Sequence, residues 1–105
     1  MENETKTLEV KQTKENNVLT CRLKGWLDPN TSPELLSAVN TDGVNTIIFD
    51  MKDVEYVFSS GLRAFLQFQK IMDEKGGKIL LINVSDPIRS IFEYTGFESI
   101  LEPKV

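Results

Sequence analysis

Histidine is missing from these 105 residues, and cysteine occurs once, as Cys21. The commonest general base and the commonest metal ligand are therefore unavailable, and a lone thiol makes neither an internal disulfide nor a thiolate zinc site. An excess of positive charge is lacking too: 12 Lys and Arg face 16 Asp and Glu, a net charge of -4. Non-specific nucleic-acid binders and proteins that bind anionic lipid concentrate cations on one surface, so neither class fits. No stretch approaches the roughly 20 apolar residues of a membrane span, and residues 1–7 carry no apolar h-region, so a cytoplasmic location is expected. Signatures of phosphate loops and serine hydrolases are absent as well. No Gly-rich run leads into Lys-Ser/Thr, no Gly-x-Ser-x-Gly occurs, and Gly76-Gly77 follows a helical pattern instead of opening one. Neither an enzyme nor a bound metal or cofactor is expected.

What is present describes one ordinary core. With 40% apolar and 27% charged residues, a chain this long makes a single α/β domain over residues 1–105, with residues 1–6 disordered. Leu8 and Val10, the polar run 11–15 and the pair Asn16-Asn17 read as an edge strand and a hairpin turn. Leu19, Cys21 and Leu23 then alternate with Thr20, Arg22 and Lys24, a half-buried antiparallel strand in which the thiol faces the core. Residues 25–31 form a loop. Ser32 caps a short helix with Pro33 at its first position, and Leu35, Leu36 and Val39 face inward. Ile47-Ile48-Phe49 is a strand buried on both faces, followed by a loop over 52–58. From Ser59 a longer helix buries Leu62, Phe65, Leu66, Phe68 and Met72 and stops at Gly76-Gly77. Residues 79–84 form another strand, Ser85-Asp86-Pro87 starts a helix that Gly96 ends, and Ile100-Leu101 forms a last short strand or strand-like tail.

The order β-β-α-β-α-β-α-β calls for a mixed, mostly parallel sheet with an N-terminal antiparallel edge hairpin and helices packed on it. Strand 2, helix 1 and strand 3, as one parallel crossover unit, bring the segments after Lys24 and after Asp50 out at one pole, where ligands and partners of open α/β sheets meet the chain. At that pole Ser59 and Ser60 open a helix. One of them reads as a cap, or as a phosphoacceptor whose phosphate would sit against the positive helix end with Arg63 nearby. Trp26 reads as an exposed aromatic anchor or as a ring packed under a helix or the hairpin. Phe58 reads as a partner contact or, slightly better, as an apolar plug between loop and helix.

Gly25-Trp26-Leu27-Asp28 with Thr31 and Leu35, then Phe58-Ser59-Ser60-Gly61-Leu62 and a Gly-Gly-strand-helix tail, resembles the STAS family over nearly the whole chain, and within it the anti-sigma factor antagonists. The resemblance implies a bacterial regulatory switch. Unphosphorylated, such a domain holds an anti-sigma factor, often a GHKL-type serine kinase, and phosphorylation by that kinase ends the hold. It implies Ser59 as phosphoacceptor, with Ser60 the alternative, and raises Asp28 to a partner contact; with the residues read above, the expected contacts are Trp26, Asp28, Thr31, Phe58, Ser60, Gly61 and Arg63, on a monomer or weak dimer. Where the family motif reads Asp-Ser-Ser/Thr-Gly, this chain has Phe58 before the serine. That departure motivates an alternative: a STAS scaffold that is not phosphorylated, in a signalling assembly or as an accessory subunit of a lipid-transport ATPase.

Overall fold

The computed structural model describes residues 7–101. Strands β1 (Leu8–Glu15) and β2 (Val18–Leu27) pair antiparallel from Glu15 opposite Val18 to Leu8 opposite Gly25. Asn16 turns the hairpin with φ 56°, a left-handed conformation that asparagine tolerates better than most residues. Helix α1 (Thr31–Ala38) leads to β3 (Thr46–Val57), parallel to β2, and α2 (Ser59–Glu74) leads to β4 (Lys78–Ile82), parallel to β3. The sheet order is β1-β2-β3-β4. Both parallel crossovers step in the same direction, so right-handed connections lay α1 and α2 on one face. Helix α3 (Asp86–Thr95) joins them there, with the Phe92 ring 6.1 Å from that of Phe65.

One core therefore lies between sheet and helices. Leu19, Cys21, Leu23, Ile47, Phe49 and Leu81 fill it from the strands, and Leu35, Phe65, Phe68, Met72, Ile88 and Phe92 from the helices. Phe49 sits at its centre, its ring 5.0 Å from Phe65 and 5.3 Å from Phe68. Cys21 is fully enclosed, and burial pushes its thiol up to about 12. None of the described helices is long and apolar enough to cross a membrane.

Several boundaries differ from the sequence reading, each for a local reason. Strands β2 and β3 run to Leu27 and Val57, through segments expected to be loops. Between Arg22/Asp50 and Lys24/Asp53, and again between Gly25/Val54 and Trp26/Tyr56, β3 spends one residue more than β2. These bulges space the buried residues of its far half three apart, as Met51, Val54 and Val57, and so erase the two-residue period by which strands are recognised. Helix α1 starts at Thr31 rather than after a Ser32 cap, and α2 is preceded by Phe58 with no side-chain cap, so neither Ser59 nor Ser60 serves as one. The last expected strand is a 3₁₀ turn, Glu98–Ile100, followed by a single parallel bridge from Leu101 to Leu81. Gly96 ends α3 at φ 83°, as expected, while Phe97 N–H donates to Phe92 O at 2.8 Å. The expectation for residues 1–6 falls outside the described residues.

Candidate functional site

Strands β2 and β3 finish level, Leu27 opposite Val57, and each hands the chain to a helix. Phe58 N–H donates to Leu27 O at 2.8 Å, which ties the start of α2 to the end of β2. Gly61 permits a close approach here: a Cβ on it would lie 2.9 Å from both Leu27 Cβ and Val57 Cγ1. The two helix starts touch as well, with Ser32 Oγ and Ser60 Oγ 3.4 Å apart. The structure thus places the two segments singled out in the sequence side by side at one pole.

The first segment is a closed polar knot. Asp28 Oδ1 accepts the N–H groups of Asn30 and Thr31, both at 2.9 Å, so it satisfies donors that open α1. Asp28 N–H donates to Thr31 Oγ1 at 2.9 Å, and the Thr31 hydroxyl donates to Trp26 O at 2.6 Å. The Asp28 carboxyl is held below its ordinary range, chiefly by the Thr31 N–H bond, against the opposing effect of desolvation. Asp28 is only 8% exposed, and Thr31 and Ser32 are buried, so all three build the rim from beneath.

The second segment faces water. Ser59 is exposed as the first residue of α2, Ser60 is half-buried against Ser32, and Gly61 is buried. Arg63 is exposed four residues beyond Ser59, which puts both on one helix face with Cβ atoms roughly 5–6 Å apart. The first turn of α2 contains no acid, so its positive end is uncompensated from within.

Phe58 is 39% exposed and does not plug the gap between loop and helix. Its position after an extended strand turns the ring outward, to 4.8 Å from Tyr56 in an edge-on arrangement and 6.0 Å from Trp26. Trp26 is half-buried as the inner member of this trio, 6.0 Å from Tyr56, and its Nε1–H donates to Glu55 Oε1 at 3.2 Å. Tyr56, 42% exposed, and Glu55 lie on the strand where the sequence pattern predicts a loop. Without the second bulge, Glu55 would have been expected opposite Trp26, and nothing in the local pattern announces the extra residue. Among the described residues there is no group of three or more His, Cys, Asp or Glu side chains able to hold a metal ion.

Known proteins share this fold. The chain is 29% identical over 97 residues to an anti-sigma-B factor antagonist of Staphylococcus aureus, covering 90% of both chains. It is 26% identical over 98 residues to an anti-sigma F factor antagonist of Paenibacillus polymyxa, covering 90% of this chain and 84% of that one. Among solved structures, the unphosphorylated form of the anti-sigma factor antagonist SpoIIAA superposes with a TM-score of 0.81 at 20% identity, covering 92% of this chain and 89% of that one. Its phosphorylated form, the Bacillus cell fate determinant, superposes at 0.74 with the same identity and 92% coverage of both. The model of the STAS domain matches residues 9–105, and the chain belongs to the STAS domain family.

Proposed function

We propose that this protein is an anti-sigma factor antagonist, which binds an anti-sigma factor through the pole where α1 and α2 begin and lets go when Ser59 is phosphorylated. The observation that carries the reading is Ser59 itself. It is an exposed hydroxyl at the first position of a helix whose positive end, with Arg63 on the same face, suits an acidic contact from a partner. In the transfer, Ser59 Oγ forms the new bond to the γ-phosphorus of ATP as ADP leaves, and the hydroxyl proton passes to the kinase or to water. The product places nearly two negative charges where the partner's acid had been attracted. At ~5 Å and an effective dielectric of ~20, each unit pair repels by about 3 kcal/mol, on the order of a hundredfold in affinity. Release then needs no change of fold.

The test is incubation with ATP and the anti-sigma factor kinase of the same organism. One phosphoryl group should appear at Ser59, and Ser59→Asp should weaken the complex. Tight binding that Ser59→Asp leaves untouched would sink the switch. Phe58 favours a second reading, a scaffold that binds without being phosphorylated. In that case the complex forms but ATP leaves Ser59 and Ser60 unmodified.

A further inference from the structure

We infer that Tyr56, Phe58 and Glu55 form a seat for a guanidinium group presented by the partner protein. The inference rests on the protein-binding role proposed above and assigns the chemistry of one contact within it. Tyr56 and Phe58 are among the few large apolar side chains exposed on the described surface, and they are in contact with one another, 4.8 Å between ring centres. Trp26 lies 6.0 Å from both rings, and its Nε1–H donates to Glu55 Oε1 at 3.2 Å, so rings and carboxylate are gathered around one indole. An exposed edge-to-face aromatic pair with a carboxylate held at the same indole attracts a cation twice over, through the ring quadrupoles and through the carboxylate.

The neighbouring charges leave that attraction standing. In the β2–β3 register Lys24 lies opposite Asp53, whereas Glu55 is the bulged residue and has no residue opposite it on β2. Arg63 is exposed one turn into α2. The pole therefore has two signs: the start of α2 with Arg63 suits an acid, and the aromatic rim with Glu55 suits a base. An apolar partner side chain would cover the rings but desolvate Glu55 without return. A carboxylate would meet like charge. A guanidinium stacks on ring faces and offers a donor fork to a carboxylate, which an ammonium does not.

Trp26 is the chain's only tryptophan, so its indole N–H resonance reports on the rim directly. Titration of the isotope-labelled protein with arginine amide should move that resonance saturably, and citrulline amide, the neutral isostere, should not. The response should vanish in the Tyr56→Leu/Phe58→Leu double variant and shrink in Glu55→Gln, with circular dichroism verifying the fold of each. Equal displacement by the two amides, or none by arginine amide, overturns the inference. A second arm uses the purified anti-sigma factor: Tyr56→Leu or Phe58→Leu should weaken the complex about threefold to thirtyfold, and Phe58→Tyr should restore it. Undiminished affinity in the leucine variants overturns the seat and leaves the antagonist reading intact. No complex with the unaltered protein sinks the antagonist reading, while the amide titration still judges the seat.

Discussion

Phe58 occupies a position where a helix is best served by a hydrogen-bonding side chain, and its neighbours show what it does instead. As the N-cap of α2 it accepts the Gly61 N–H through its carbonyl, but its side chain offers no acceptor to the first helical N–H groups, and its ring instead joins Trp26 and Tyr56. Phe58→Asp would add a cap worth ~0.5–2 kcal/mol but remove ring contacts worth ~0.5–1.5 kcal/mol together with the burial of a ring that is 39% exposed, so the balance is a modest loss of stability. The expected result is a melting temperature modestly below that of the unaltered protein but a faster initial rate of Ser59 phosphorylation, because the substitution introduces the acid of the motif this chain resembles. A slower rate in a phosphate-incorporation assay would count against this. Asp28 makes the opposite contribution, since its carboxylate is already committed to the backbone of its own loop. Its pKa in the fold lies below the ordinary 3.8, so the stability it confers is fully present above that value and fades as pH falls through the folded pKa. Asp28→Asn should lower the melting temperature at pH 7 and flatten its decline below about pH 4. Parallel melting curves for the two proteins across that range would refute the assignment.

Elements rather than single residues decide how much of the site could be read in advance. Strict alternation from Leu19 to Leu23 exposed β2, the broad apolar stripe from Leu62 to Met72 exposed α2, and Gly96 marked the end of α3, because each pattern keeps the period of its own backbone. The far half of β3 was unreadable since two bulges replace a period of two with a period of three at Met51, Val54 and Val57. That same irregularity hid Tyr56 and Glu55, which belong to the rim only because the bulge swings them outward. The pairing of the two loops was legible from the parallel strand–helix–strand order; the Asp28 knot was not, since it depends on hydrogen bonds within four residues. Element packing also makes Gly61 testable. The atoms its missing Cβ would strike are Leu27 Cβ and Val57 Cγ1, on two strand ends that cannot swing aside as a long side chain can. Gly61→Ala should cost about 1–3 kcal/mol in chemical denaturation, in spite of alanine's better helix propensity, and loosen partner binding as α2 is pushed off the rim. An unchanged denaturation midpoint would show that α2 can shift at no cost.

At the scale of the whole molecule, the pole and the core are connected through one thiol far from either helix start. Cys21 lies mid-strand, opposite Gln12 of β1 and Phe49 of β3, fully enclosed, with its pKa pushed up to about 12 by burial. A thiol reagent that attacks the thiolate therefore meets two barriers in the native state, no access and almost no anion at pH 8, and both disappear only when the packing around β2 opens. If the domain unfolds as a unit, labelling of Cys21 should track global unfolding: its free energy of opening should fall with denaturant along the same slope as the equilibrium transition. A partner bound at the pole at ~100 times its Kd adds about 2.7 kcal/mol to the folded state, and labelling should slow about a hundredfold although the partner never approaches the cysteine. Peeling of the β1 edge alone would give a different signature, with weak dependence on denaturant and little protection by a partner that holds only α1 and α2. Labelling rates measured with and without the anti-sigma factor across a denaturant series decide between these outcomes, and through them whether the hairpin edge and the two-helix pole form one cooperative unit.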